Sequence, residues 1–495
     1  MFFAAGVLRP PLHDRLRPQQ YASSMQKIWP LPGFAALVTG LLYSSGGPVW
    51  DDHLLILGLL PEIAWADLFL QPVGGGRVGS GYFRPLSMAA MKLLGSIPGI
   101  HVLSALLHAG SALLLCSLLG RDGRAVLAAT VFAVHPMVSE PLAWASALPD
   151  VLSLHAGLWA VLLFHSGRQG PGAAAFVLGL LAKETACLPL LAWLLADRRP
   201  GKAWVHAGSA AAVYVLLRVF AGTEGGWQPG GAVEAASAVA WPLASTVFPY
   251  PLTAVRDLHA VPGWVLPAGL LALLSLAAAA YRGGSWSRAG FLLVLFGPLL
   301  ALPPTLDGHL ATERYAYPGM AGLAWALYGV LPRSSGWKAA VAISLLCLPA
   351  HALRARDWKD DQALFQAAVR ALPSSSYAWH FLGYVQHGQG LYGASADSLL
   401  KAVENGHPHP MDRGLRLESL VLAGRPEEAL AWAEGGPQTG LDASYIAWWG
   451  RAAWLSGREG KAKELFGLLG RDGGYDGPGW VRDWAGLPSE TPDSR

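Results

Sequence analysis

The chain has 495 residues, of which 53% are hydrophobic and only 14% charged, with a mean hydropathy of +0.35; soluble domains carry ~25% charge. Such a chain is a membrane protein, and a net charge of +3 without any Lys/Arg-rich run excludes nucleic acid as a partner. Its 59 glycines and 36 prolines lie dispersed in apolar runs, which excludes wholesale disorder, and Cys116, Cys187 and Cys347, each alone in an apolar run, read as buried hydrophobes.

Residues 1–27 form a cytoplasmic N-terminal segment. Runs able to cross a ~30 Å hydrocarbon core, alone or as shortened half-helices, fall near 28–46, 99–119, 125–139, 150–167, 171–181, 185–196, 203–220, 263–281, 289–303, 315–332 and 338–353. The expected fold is all-α: a polytopic membrane bundle of about eleven spans over 28–353, with a large first external loop, 47–98. With the N-terminus inside, fourteen basic residues fall in cytoplasmic loops (Arg9, Arg15, Arg17, Lys27, Arg121, Arg124, Arg168, Arg198, Arg199, Lys202, Arg282, Arg288, Arg333, Lys338), against six opposite (Arg77, Arg84, Lys92, Lys183, Arg256, Arg314). Without a small-residue cleavage site, the first span reads as an uncleaved anchor. Eleven crossings then put the C-terminal tail on the periplasmic or lumenal side. Two stretches bear on this parity. Residues 234–250 are apolar enough to cross but would reverse every later loop, so they read as re-entrant or interfacial. The pair 171–181 and 185–196 reads as a hairpin, with one kinked helix as the competing reading.

From Arg354 onward the last 142 residues hold 15 of the 36 Lys/Arg and have amphipathic helical spacing. A soluble α-helical domain is expected over 354–480, followed by a tail, 481–495. Gly390, Gly424 and Gly457 recur at intervals of 34 and 33, followed five residues later by Ser395, Ala429 and Ala462, and nine later by Leu399, Ala433 and Phe466. This spacing suits two antiparallel helices per unit. Trp379, Leu382, Gly383, Gly390, Tyr392, Leu399 and Ala402 resemble the tetratricopeptide-repeat consensus, and Trp449, Gly450, Ala462 and Phe466 match it more loosely. Such an array either offers a groove to a peptide or protein partner or caps the membrane domain.

Ionisable residues at a membrane face need a reason. Val49-Trp50-Asp51-Asp52-His53 follows the first span, and adjacent carboxylates raise one another's pKa, as a general base requires; a solvated loop with a Trp anchor is the alternative. The same face receives Arg84, His135, Glu140, Asp150, Lys183, Glu184, Arg218, Glu313, Arg314 and Tyr315. A basic cluster at headgroup depth suits a lipid-linked phosphate, with a carboxylate beside it to deprotonate an acceptor hydroxyl. Each member also has an ordinary structural role open to it: Lys183-Glu184 and Glu313-Arg314 as local ion pairs, His135 as a helix-end histidine, Arg218 as a snorkelling cation. His351 and the histidines of His407-Pro408-His409 lack metal-ligand spacing, and Gly74-Gly75-Gly76 follows no strand.

The order Val49-Trp50-Asp51-Asp52, Phe83-Arg84-Pro85-Leu86, His101 through His108, Val134-His135-Pro136 with Glu140, Ala182-Lys183-Glu184 and Glu313-Arg314-Tyr315-Ala316-Tyr317, then the repeats, resembles the transmembrane and tetratricopeptide-repeat O-mannosyltransferases and their bacterial relatives, over about residues 40–470. The resemblance implies a C-type integral-membrane glycosyltransferase (GT-C) fold, a polyprenyl-phosphate sugar donor and inversion at the anomeric carbon. It implies that Asp51 or Asp52 is the base and that Lys183, Arg314 and Arg84 contact the donor phosphate; Arg218 is a further candidate from its position. The chain departs from its relatives at Ala147-Leu148-Pro149-Asp150, where a basic residue often precedes the acid, so one donor contact is lost or replaced. The expected activity is sugar transfer to an acceptor, protein Ser/Thr above all, on the non-cytoplasmic face, with the repeats helping to present it. The alternatives are transfer to a lipid or glycan within the same fold, and a non-catalytic scaffold whose repeats recruit partners. No metal cofactor is required where fixed cations stabilise the leaving phosphate; a divalent ion held by Asp51, Asp52 and Glu140 is the open alternative.

Overall fold

The computed structural model describes residues 28–73, 82–197, 201–222, 232–249, 251–308, 310–332, 336–406, 409, 411–436 and 443–469. The segment 1–27, the Gly74-Gly75-Gly76 run, Arg77, Arg198, Arg199, Arg333, His407 and the tail 481–495 lie outside the described residues. The chain divides into two units, one made of Met1–Ala254 with Val261–Leu364 and one of Val255–Ala260 with Phe365–Arg495.

The first unit is built from α1 (Leu31–Leu41), α2 (Pro85–Leu94), α3 (Ile97–Leu118), α4 (Gly123–Val134), α5 (Leu148–His165), α6 (Gln169–Ala182), α7 (Cys187–Ala196), α8 (Ala203–Phe220), α9 (Ala232–Val247), α10 (Val265–Arg282), α11 (Ser285–Gly308), α12 (Tyr317–Val330) and α13 (Trp337–Asp357). Local chemistry sets several starts. The Ser96 hydroxyl accepts from the Gly99 amide at α3, and the Asp122 carboxylate accepts from the Ala125 amide at 2.8 Å at α4. Pro85 opens α2, where its missing N–H has no helical partner to lose.

Five helices are long and apolar enough to cross a membrane: Ile97–Leu118, Ala145–His165, Ala203–Phe220, Val265–Arg282 and Trp337–Asp357. The pair Gly123–Val134 and Pro136–Ala143, bent by 53°, makes a sixth if it is one broken span. Apolar side chains cover their outer faces: Leu216, Val219 and Phe220 are 70%, 72% and 77% exposed, a surface suited to lipid rather than water. Other stretches expected to cross are shorter helices, among them Leu31–Leu41 and Gln169–Ala182. The described part of residues 234–250 lies mostly in a single helix, α9, with Pro242 inside it. α6 packs along α5, whereas α7 packs on α11 and α5 rather than pairing with α6, so the expected tight hairpin is absent between these two. Small residues bring helices close: a Cβ at Gly40 would lie 2.5 Å from the Ala105 Cβ, and one at Gly290 would lie 2.4 Å from the Gly322 carbonyl oxygen.

The second unit contains most of α14 (Asp361–Ala371), then α15 (Ser376–Gly388), α16 (Tyr392–Glu404), α17 (Asp412–Leu422), α18 (Pro426–Glu434), α19 (Ala443–Leu455) and α20 (Glu459–Leu469). They form helical hairpins, α15 on α16, α17 on α18 and α19 on α20. The three periodic glycines are the hinges: Gly390, Gly424 and Gly457 have φ of 74°, 72° and 75°, a region that side chains disfavour. Ser395, Ala429 and Ala462 are fully buried in the seams, and the Gly450 Cα sits so close to Phe466 that a Cβ would lie 2.5 Å from the ring. The period read from the sequence is thus a physical hairpin repeat.

Candidate functional site

Several of the breaks in the first unit gather on one face. Arg84 caps α2, Asp150 lies in the first turn of α5, Lys183 and Glu184 precede α7, and Arg314 lies in the 3-10 turn Glu313–Ala316 before α12. Each of these positions lies at or next to the start of a helical segment, an end where negative charge is favoured.

Two of the three cations there have partners. Arg84 donates to both Glu184 oxygens, at 2.7 and 3.4 Å, and lies 4.2 Å over the Tyr82 ring. Lys183 Nζ donates to Asp150 Oδ1 at 2.5 Å, both side chains being almost wholly buried, and faces the Tyr315 ring at 5.4 Å. Arg314 makes no ion pair within 4 Å among the described residues, and its Nε has no hydrogen-bond partner. Its guanidinium lies 4.2 Å over Trp144, which in turn stacks on Trp50 at 5.4 Å and 17°. Lys183 is within electrostatic reach of Arg84, Arg314 and Tyr315, and Arg314 is within reach of Asp150 and Glu140. Arg218, at the end of α8, reaches this group through Tyr214, which bonds to it and senses Arg84 and Glu184.

The adjacent aspartates separate in role. Asp51 is exposed; burial of its surroundings pushes its carboxyl above the usual range, and nearby Arg314 opposes that. Asp52 is fully buried. Its Oδ1 accepts from the Ser146 amide at 2.8 Å and the Ser146 hydroxyl at 2.6 Å, and its Oδ2 from the Val49 amide at 3.2 Å. Burial pushes Asp52 up to about 6 against these bonds, with Asp51 adding to the rise. Every oxygen of Asp52 is engaged in fixing the loop, so Asp51 is the carboxylate that faces the open side. Trp50 holds a left-handed φ of 54°, which costs a non-glycine residue about 1–2 kcal/mol. Asp361 offsets that strain, accepting from the Trp50 amide at 2.7 Å and pairing with His53 Nε2 at 3.0 Å. Gly47 donates to the Lys359 carbonyl at 2.9 Å, so the acidic loop lies where the chain leaves α13.

The remaining candidates are buried and bonded within the fold. Glu140 Oε2 accepts from the Glu313 amide, and Glu313 accepts from the Thr253 amide, both at 2.8 Å, and pairs with Arg354 at 3.6 Å. Glu313 thus pairs away from its neighbour Arg314. His135 accepts from the Met137 amide at 3.2 Å as a helix-end cap. His108 bridges Tyr317 and the Ala133 carbonyl, and His351 bridges Tyr43 and the Val134 carbonyl, which are packing roles.

Asp51, Asp52 and Glu140 do not gather into a metal-ligand cluster among the described residues; His380, His409 and Asp412 of the second unit do. That group sets His409 beside Asp412, three residues on, and beside a histidine one hairpin earlier. Sequence reading also missed Trp144, Ser146 and Asp361. Trp144 and Ser146 lie in an apolar run whose helical break at Trp144–Ala147 has no glycine or charge to announce it. No protein-family model, curated protein or solved structure matches the chain.

Proposed function

We propose that the first unit is an inverting membrane glycosyltransferase of GT-C type, moving a sugar from a polyprenyl-phosphate donor to an acceptor hydroxyl, protein Ser/Thr above all, on the non-cytoplasmic face. One observation carries this reading: Arg314, with no carboxylate within 4 Å among the described residues, lies over the Trp144 ring near Lys183, with Asp51 in electrostatic reach. A guanidinium with no carboxylate in direct contact suits a lipid-borne phosphate at headgroup depth.

In the reaction, the acceptor oxygen attacks the anomeric carbon as the bond from that carbon to the phosphate oxygen breaks. Asp51 takes the acceptor proton, and the polyprenyl phosphate leaves with the bonding electron pair, its charge stabilised by Arg314 and by the nearby Lys183 and Arg84. Asp150 and Glu184 hold Lys183 and Arg84 in position. The helical hairpins of the second unit are, on this reading, tetratricopeptide-like repeats that present the acceptor. The test is transfer from polyprenyl-phosphate mannose to a Ser/Thr peptide in membranes containing the protein. Loss of transfer in both Asp51→Asn and Arg314→Gln is expected; transfer retained by both variants at comparable expression rejects the proposal.

A further inference from the structure

We propose that His380, His409 and Asp412 bind one divalent transition-metal ion of the zinc type and so clip two successive hairpins of the second unit together. His380 lies on α15 and is 6% exposed, Asp412 opens α17 and is fully buried, and His409 is half-buried just before it. One donor atom from each lies within 4.8 Å of the others. The two imidazoles stack with centroids 4.3 Å apart at 27°. His380 Nδ1 donates to Asp412 Oδ1 in a very short contact, and the His409 amide donates to Asp412 Oδ2 at 2.8 Å.

Two imidazoles and a carboxylate form a donor set that zinc and its neighbours accept at ~2.0–2.2 Å, whereas calcium and magnesium favour all-oxygen sites. A His380–Asp412 hydrogen bond alone would satisfy His380. It leaves unexplained why a second imidazole is stacked beside the same carboxylate, where two protonated rings would repel. The ion replaces the proton between His380 and Asp412, so loading releases a proton. It draws in the His409 ring at the expense of the longest bond in the group, from the Met411 amide to His409 Nδ1 at 3.3 Å. Half-burial of His409 gives the ion access and leaves a coordination position for water.

The measurement uses untagged full-length protein in detergent, stripped with a chelator and titrated with Co2+, followed by its visible absorption and then displaced by Zn2+. Binding of one ion per chain at micromolar affinity or tighter is expected, with a rise in the apparent melting temperature of the second unit. His409→Gln alters a half-buried side chain, so it is expected to fold, and it should weaken binding at least tenfold. His387→Gln, whose ring contacts Ser419 and Glu418 instead, should bind like the parent. Absence of stoichiometric Co2+ binding, or full affinity in His409→Gln, overturns the proposal.

Discussion

The division of labour between Asp51 and Asp52 gives a test in which stability and activity respond to different substitutions. Replacing Asp52 by Ala strands three donors, the Val49 amide and the Ser146 amide and hydroxyl. At roughly 1 kcal/mol each the loss is about 3 kcal/mol while the carboxyl is neutral. The pH dependence follows from burial, which lifts this carboxyl from an ordinary 3.8 to about 6 in the folded protein. The folded state therefore binds the proton more tightly than the unfolded chain. Its stabilising contribution is full below 3.8 and is lost as pH rises through about 6, a difference of about 3 kcal/mol. Asp52→Ala should thus melt several degrees below the parent at pH 4.5 and much closer to it at pH 7.5. Asp51→Asn, at an exposed position, should change stability by no more than ~0.5 kcal/mol yet lower transfer by about 10²–10⁴-fold. Tryptophan-fluorescence melting in detergent at the two pH values, beside transfer from polyprenyl-phosphate mannose in membranes, reads both. Abolished transfer in Asp52→Ala with an unchanged melt at both pH values, together with full activity in Asp51→Asn, would refute the assignment.

Three further outcomes are expected. Arg314→Lys keeps the charge but loses the flat guanidinium over Trp144; it should weaken donor binding about 10–100-fold, read as a rise in the donor KM. Transfer by the parent should fall on acidification through the raised Asp51 value, because the base must be ionised. Since Arg314 holds that value down, the residual activity of Arg314→Gln should show its acid limb at higher pH, measured as a rate profile. Gly450→Ala puts a Cβ 2.5 Å from the Phe466 ring, so it should destabilise the second unit by about 1–3 kcal/mol in chemical denaturation, without altering Co2+ binding.

Much of the architecture is legible because one signal is strong: long apolar runs with few charges, then a glycine period whose members all take the same left-handed turn. Span number is less legible, since helices such as α6 and α12 are short and α6 ends at Ala182, where no proline or glycine announces it. Within the site, Arg84, Lys183, Arg314, Asp150 and Glu184 are visible as charges that lipid would not tolerate. Their pairing is not, because the Arg84–Glu184 and Lys183–Asp150 partners are 100 and 33 residues apart. Nothing local separates Asp51 from Asp52, either. Their difference comes from Ser146, 94 residues away, which claims one carboxylate and leaves the other exposed. His409 is legible as a loop histidine, but its place beside His380 and Asp412 is not, since His380 reaches it through the stacking of hairpins.

On the proposed function, Arg314 and the exposed Asp51 flank the place where a lipid phosphate docks. A structure determined with polyprenyl phosphate in lipid nanodiscs tests it most directly. The phosphate is expected against the Arg314 guanidinium beside Trp144, with the Asp51 carboxylate on its open side. A phosphate bound away from Arg314, or a lipid tail filling that place with the phosphate elsewhere, would contradict it.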